Sequence, residues 1–228
     1  MMTLLAAFEI LLQHQSGEDD VVVGLDIANR DRPELEPLIG LFVNQLVLRV
    51  DLAGAASFRE VLGRVRGTML EAFENRDLPF ETLVAELAPG HDLGRTPLFQ
   101  VKVAFQQEPP APAQPPGLTV TALAPPSGET RFDLTLLLLD SGEAITGALE
   151  YDADLFEPET IARLADRFLD LVGRATALPD ARLSEIRAAF DSSDREQRRR
   201  QGESFEAASL QKLASLKRRH SAAAVPVS

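Results

Sequence analysis

The sequence predicts an α/β fold: a mixed sheet with helices packed on one side, followed by a poorly structured basic C-terminal tail. Three observations point there. Amphipathic helical stretches alternate with apolar strand-like runs through the first half of the chain. A proline-rich segment then leads into three further strand candidates that look antiparallel. The charge is also divided. Between Arg195 and Arg219 eight Lys/Arg stand against three Glu, a local +5; the whole chain carries −12, so the remainder carries −17.

Each element has its own warrant. Over residues 3–14, Leu4, Leu5, Phe8, Leu11 and Leu12 recur at helical spacing, and "SGEDD" turns the chain. Val21–Leu25 is wholly apolar, as expected of an interior strand. A polar loop, "DIANRDRPELEP", precedes a strand expected over Leu41–Leu52. Ser57 and Glu60 form a capping box ahead of a helix striped by Phe58, Val61, Leu62, Val65, Met69 and Phe73. Asp77 reads as the helix-start acceptor, and Pro79 as the first residue, of a short helix carrying Phe80, Leu83, Val84 and Leu87. In "PLFQVKVAFQQ", Phe99, Val101, Val103 and Phe105 alternate with Gln100, Lys102 and Ala104. Five prolines between Pro109 and Pro116 mark an extended crossing segment. The runs "LTVTAL", "RFDLTLLLLD" and "AITGALEYD" read as strands, the last two joined by a turn at "SGEA". Pro158 opens a helix with Ile161, Leu164, Phe168, Leu171 and Val172 inward. Past Leu183 the pattern fades, which sets a domain at 1–185 and a linker with a basic tail at 186–228. Leu210, Leu213 and Leu216 give that tail one weak apolar face.

Composition and motifs exclude several chemistries. The chain has no cysteine, hence no disulfide, thiol nucleophile or thiolate metal site. Its acidity argues against a nucleic-acid surface. No apolar run reaches the about 18 residues of a membrane helix, and the opening "MMTLLAAFEILLQHQ" lacks the basic start of a signal peptide, so a cytoplasmic protein is expected. No phosphate-cradling glycine loop and no nucleophile elbow occurs. The three histidines, His14, His91 and His220, have no metal-ligand spacing, and His91 reads as a solvated loop residue in "APGHDLGRTP". No catalytic or metal-binding residue is expected.

Four segments in order, "RPELEPLIGLFVNQLVLRVDL", "ENRDLPFETLVAELAPGHDLGRTPLFQVKVAFQ", "RFDLTLLLLD" and "LEYDADLFEPETIARLADRFLDLV", resemble the C-terminal half of a condensation domain of nonribosomal peptide synthetases. The resemblance covers residues 1 to about 185. It implies one chloramphenicol-acetyltransferase-like lobe of a V-shaped pair. It further implies a tunnel in which a carrier-bound amine attacks a carrier-bound acyl thioester, this lobe forming the acceptor-side wall. Both substrates ride on phosphopantetheine of donor and acceptor peptidyl carrier proteins, and the lobe itself binds no cofactor. The partners implied are an N-terminal lobe, those carrier proteins and, through the basic tail, a downstream synthetase subunit. The family's catalytic motif, two adjacent histidines followed after three residues by Asp-Gly, has no counterpart here, and the chain is expected to begin downstream of it.

The resemblance also nominates residues. Asn44 and Gln45 match the family's Val-Asn-Thr strand; an amide there either orients a substrate group or satisfies backbone at a strand end. Gln45 departs from the usual Thr or Ser. Asn75 and Arg76 replace His-Gln ahead of "DLPFE", which puts any tunnel contact of that pair in question. Arg131 and Asp133 of "RFDL" either join an interlobe network or form a strand-edge ion pair. Arg49 completes the tunnel or interlobe set, and Arg95 is expected to anchor the loop before its strand. The chain then reads as a synthetase fragment, as one half of a split condensation domain, or as a non-catalytic module that docks carrier proteins. A free-standing acyltransferase is a fourth reading, for which no histidine stands in a suitable motif.

Overall fold

The apolar run at Val21 lies one strand in from the edge of a five-stranded sheet. The computed structural model describes residues 1–30, 32–88, 90, 95–108, 115, 117–121, 130–192, 195 and 199, which divide into units Met1–Arg182 and Leu183–Ser228. In the first unit the strands are β1 (Asp20–Ile27), β2 (Asn44–Asp51), β3 (Val101–Gln107), β4 (Leu134–Asp140) and β5 (Ile145–Tyr151), in spatial order β2-β1-β3-β4-β5. β1 and β2 pair antiparallel from Asp20↔Asp51 to Ile27↔Asn44. β1–β3 and β3–β4 are parallel and β4–β5 antiparallel, so the sheet is mixed as expected. The β4–β5 hairpin turns at Ser141–Ala144, where Gly142 takes a left-handed φ of 84° and donates its N–H to Asp140 Oδ1 at 2.8 Å.

Alternation on the strands explains the core. Val21, Val23, Leu25 and Ile27 of β1, Leu46, Leu48 and Val50 of β2, Val103 of β3 and Leu134, Leu136 and Leu138 of β4 are all buried. The helical layer meets this face. Helix α1 (Met2–Ser16) packs on β1 between α2 (Phe58–Glu74) and α4 (Pro158–Ala177). Its central place buries it nearly all round, beyond the single face expected, and it meets α4 through an edge-on Phe8–Phe168 contact at 6.0 Å. Each such fully buried side chain contributes about 1.5–3 kcal/mol. One arm of the capping box forms, Ser57 Oγ accepting from Glu60 N–H at 3.3 Å, while Glu60 Oε2 accepts from the N–H of Ala56, the residue before the cap, at 2.9 Å. Among the described residues no helix is long and apolar enough to cross a membrane.

Four expectations change. The strand expected from Leu41 starts at Asn44, and Leu41 (92 % exposed) and Val43 (55 %) lie in an exposed loop. Phe99 does not share a face with Val101 and Val103. The chain bends at Gln100, between Phe99 and the start of β3, the alternation resets, and the Phe99 ring lies on the opposite face, in the space that a Gly24 Cβ would need. "LTVTAL" is no strand over its described residues 118–121, and Leu118 and Val120 are exposed. Pro79 caps rather than begins α3 (Phe80–Leu87). In the second unit, residues 183–192 are helical, with Leu183, Ile186 and Phe190 buried at helical spacing. The prolines Pro109, Pro110, Pro112 and Pro116, His91 and the tail helix expected over 203–219 lie outside the described residues.

Candidate functional site

The two amides that open β2 point to different partners. Asn44 closes a clamp on the joint between α2 and α3: its Nδ2 donates to Arg76 O at 2.9 Å and to Leu78 O at 2.8 Å, and its Oδ1 accepts from Phe80 N–H at 3.1 Å. Both ends of the amide, the carbonyl and the NH2, are engaged. Asn44 therefore supplies the helix-start acceptor for α3 that the sequence assigned to Asp77. Asn75 ends α2, its Nδ2 donating to Glu71 O at 2.9 Å. Asn44, Asn75 and Arg76 are thus brought together at one corner.

Gln45 faces the other side of the sheet. Its Nε2 donates to Asp26 Oδ1 at 3.0 Å, and the second oxygen of Asp26 accepts from Lys102 Nζ at 2.9 Å. The carboxylate so ties three adjacent strands through a pair only 17 % and 24 % exposed. Lys102 Nζ also stands 4.7 Å over the Phe132 ring, which stacks on Phe99 at 5.5 Å; Phe80 of α3 tilts against Phe99 at 5.5 Å. This face of the sheet carries a polar line flanked by a row of three aromatic rings.

Beside the clamp, a cleft of about 320 Å3 opens at the C-terminal ends of β1 and β3, with Leu25, Ile27, Phe73 and Phe105 on its walls and Arg30 and Arg76 among its lining. Arg30 is the hub of the loop before β2. Its guanidinium donates to the carbonyls of Leu35, Glu36 (3.4 Å), Leu38 (2.8 Å) and Gly40 (3.3 Å), and lies 4.2 Å from the Phe42 ring centroid. Those carbonyls are held by a side chain; β2 begins at Asn44 because its partner β1 ends at Ile27, the residue that faces Asn44.

The remaining nominated residues lie elsewhere. Arg49 makes a two-pronged ion pair with Asp20 (2.6–3.0 Å) at the far end of β2, holding the Asp20 carboxyl below its ordinary range in an exposed setting. Arg131 offers its backbone carbonyl to Thr96 Oγ1 at 2.9 Å, and the residue is exposed. Asp133 precedes β4, its N–H donating to Gln100 O at 3.0 Å. Arg131 and Asp133 thus sit at the end of the sheet where β3 and β4 begin, away from Asn44. The sequence reading missed Asp26, Arg30 and Lys102. Its available signal was a charge inside each apolar run, "VVVGLDI" and "FQVKVAF". Among the described residues no cluster of His, Asp and Glu could hold a metal ion.

Residues 1–197 match the Condensation domain family. The chain belongs to that family. It is 40% identical over 185 residues to a chondramide synthase of Chondromyces crocatus, covering 81% of this chain and 5% of that protein. It is 46% identical over 162 residues to malpinin synthetase of Mortierella alpina, covering 71% and 2% respectively. Among solved structures it is similar to the X-domain from teicoplanin biosynthesis, with a TM-score of 0.73, 31% identity, and coverage of 80% of this chain and 42% of that one. The condensation-domain chain thus spans about two fifths of the solved relative and a few per cent of the synthetases.

Proposed function

We propose that this chain is the C-terminal lobe of a nonribosomal peptide synthetase condensation domain and forms the acceptor-side wall of its tunnel. There, a carrier-bound amine attacks a carrier-bound acyl thioester. The observation that carries the reading is a coverage mismatch. Four fifths of the chain aligns with the family, yet that match spans only 42% of the X-domain chain, and the sequence holds no adjacent histidine pair. The Asn44 clamp and the Asp26–Gln45–Lys102 line support a wall that positions and supplies no base. Positioning of two thioester arms contributes to rate only together with proton transfer, which in this reading an N-terminal lobe supplies. The partners are then an N-terminal lobe and two carrier proteins bearing phosphopantetheine, in a cytoplasmic setting, with the basic tail docking the synthetase protein that follows.

The test is amide formation from loaded donor and acceptor carrier proteins. The chain alone gives no product above background; adding the N-terminal lobe of a related condensation domain restores it. Product from the chain alone sinks the half-site reading. A second reading, a non-catalytic module that docks carrier proteins, is favoured if the chain retains a carrier protein while no N-terminal lobe restores turnover.

A further inference from the structure

The cleft of about 320 Å3 beside the Asn44 clamp joins apolar walls to positive charge. Leu25 and Ile27 of β1, Phe73 of α2 and Phe105 of β3 wall it, and Arg30 and Arg76 border it. Its volume lies at the small end of the about 300–1,000 Å3 typical of ligand pockets. The acidic residue of its lining, Asp26, turns its carboxylate to Gln45 and Lys102 on the other face of the sheet. A guanidinium carries five N–H donors. In Arg30, Nη1 serves the carbonyls of Leu35, Glu36 and Leu38, and Nη2 donates to Gly40 O. Its Nε–H and one N–H of Nη2 have no partner among the described residues, and no described carboxylate forms an ion pair with it.

We propose that this cleft binds a small carboxylic acid with an apolar body, such as an arylalkanoate. Arg30 Nε–H and Nη2–H take the two carboxylate oxygens side-on, a pairing that the planar guanidinium fits and that a neutral acceptor does not match in strength. The ring or hydrocarbon lies among Leu25, Ile27, Phe73 and Phe105, and Arg76 adds a second positive charge at the border. An α-amino acid is disfavoured, because its ammonium meets arginine charge and no carboxylate. The site is separate from the reaction proposed above and does not depend on it. Binding also reaches the loop before β2. The guanidinium that takes the acid is the one that holds the carbonyls of Leu35 to Gly40, so the bound acid steadies that loop.

Calorimetric titration of the full chain with 3-phenylpropanoate, 3-phenylpropanol and phenylalanine tests this. The acid binds saturably in the millimolar range or tighter, and about tenfold or more tighter than the alcohol or the amino acid. It also slows amide exchange over residues 35–43. Arg30→Lys, which keeps the charge and loses the fork, weakens the acid about tenfold. Because that change also disturbs the loop, Ala28→Phe supplies an independent variant. Ala28 is exposed and lines the cleft, so the larger side chain fills the space without entering the core, and binding is lost while the melting temperature holds. The inference is overturned by acid and alcohol that bind alike, by an Ala28→Phe variant that binds as wild type does, or by no saturable binding at millimolar acid.

Discussion

Asn44 makes three hydrogen bonds to the backbone of a connection more than thirty residues downstream, and that fixes what the side chain is for. Removing it strands two carbonyls and one N–H in a half-buried joint. Asn44→Ala therefore lowers stability by roughly 2–3 kcal/mol, read from urea unfolding followed by circular dichroism. Asn44→Asp keeps the acceptor, loses the donor, and turns a carboxylate toward two carbonyls, so it does no better. A wild-type midpoint in either variant refutes the clamp. Glu9 is the opposite case, a charge-bearing group with nothing to hold. It is fully buried in α1, neither oxygen has a partner among the described residues, and burial pushes its carboxyl up to about 8. In the unfolded chain the same group titrates near 4.5. Below that value both states hold the proton and Glu9 is neutral to stability. As pH rises from 4.5 toward 8 only the unfolded state releases it, so this contribution to stability falls, by a few kcal/mol, and levels off above. Glu9→Gln removes this slope and is the more stable protein at pH 8; an unchanged pH profile refutes the assignment.

At the scale of elements, the order of helices and strands was readable from the sequence because periodicity reports burial, and burial here follows one simple layer of helices on one sheet. The stripe on α4 was named almost residue for residue. What periodicity does not report is where a backbone finds its hydrogen bonds. "LFVNQLVLRV" alternates and is apolar, hence a strand by pattern. Its first three residues leave the ladder because the partner strand β1 ends at Ile27, opposite Asn44, while Arg30 holds the carbonyls of the preceding loop between Leu35 and Gly40. Phe99 was misplaced for a related reason: a bend at Gln100, which periodicity does not show, separates it from the alternation of β3. The candidate site fared similarly. Asn44 and Gln45 were visible as amides in an apolar run, whereas Asp26 and Lys102 gain meaning only when β1, β2 and β3 are set side by side. The loop's dependence on Arg30 is measurable. Arg30→Gln speeds amide exchange over residues 35–43 about tenfold or more while leaving β4 and β5 protected, and Arg30→Lys, which lacks the planar fork, rescues only in part. Uniform exchange across variants refutes the hub.

For the whole molecule, the question is what covers the apolar surface that the chain leaves bare. Arg30 holds a loop whose apolar side chains point outward: Leu38, Ile39, Leu41 and Val43 are 50 %, 104 %, 92 % and 55 % exposed. A fold does not order a loop from within, through one guanidinium, merely to wet four aliphatic side chains; contiguous exposed apolar surface marks an interface. Under the proposed function, an N-terminal lobe is the partner that covers this loop. The loop also ends at Asn44, so whatever covers it bears on the clamp and, through Gln45, on the Asp26–Lys102 line. Two consequences separate this from mere stickiness. Ile39→Asp with Leu41→Asp lowers binding of an apolar dye such as anilinonaphthalene sulfonate and raises solubility, since neither side chain contributes to the core. The same double variant fails to restore amide formation when combined with an N-terminal lobe that activates the wild-type chain. Full restoration by the double variant shows that these residues are not the contact, however exposed they are.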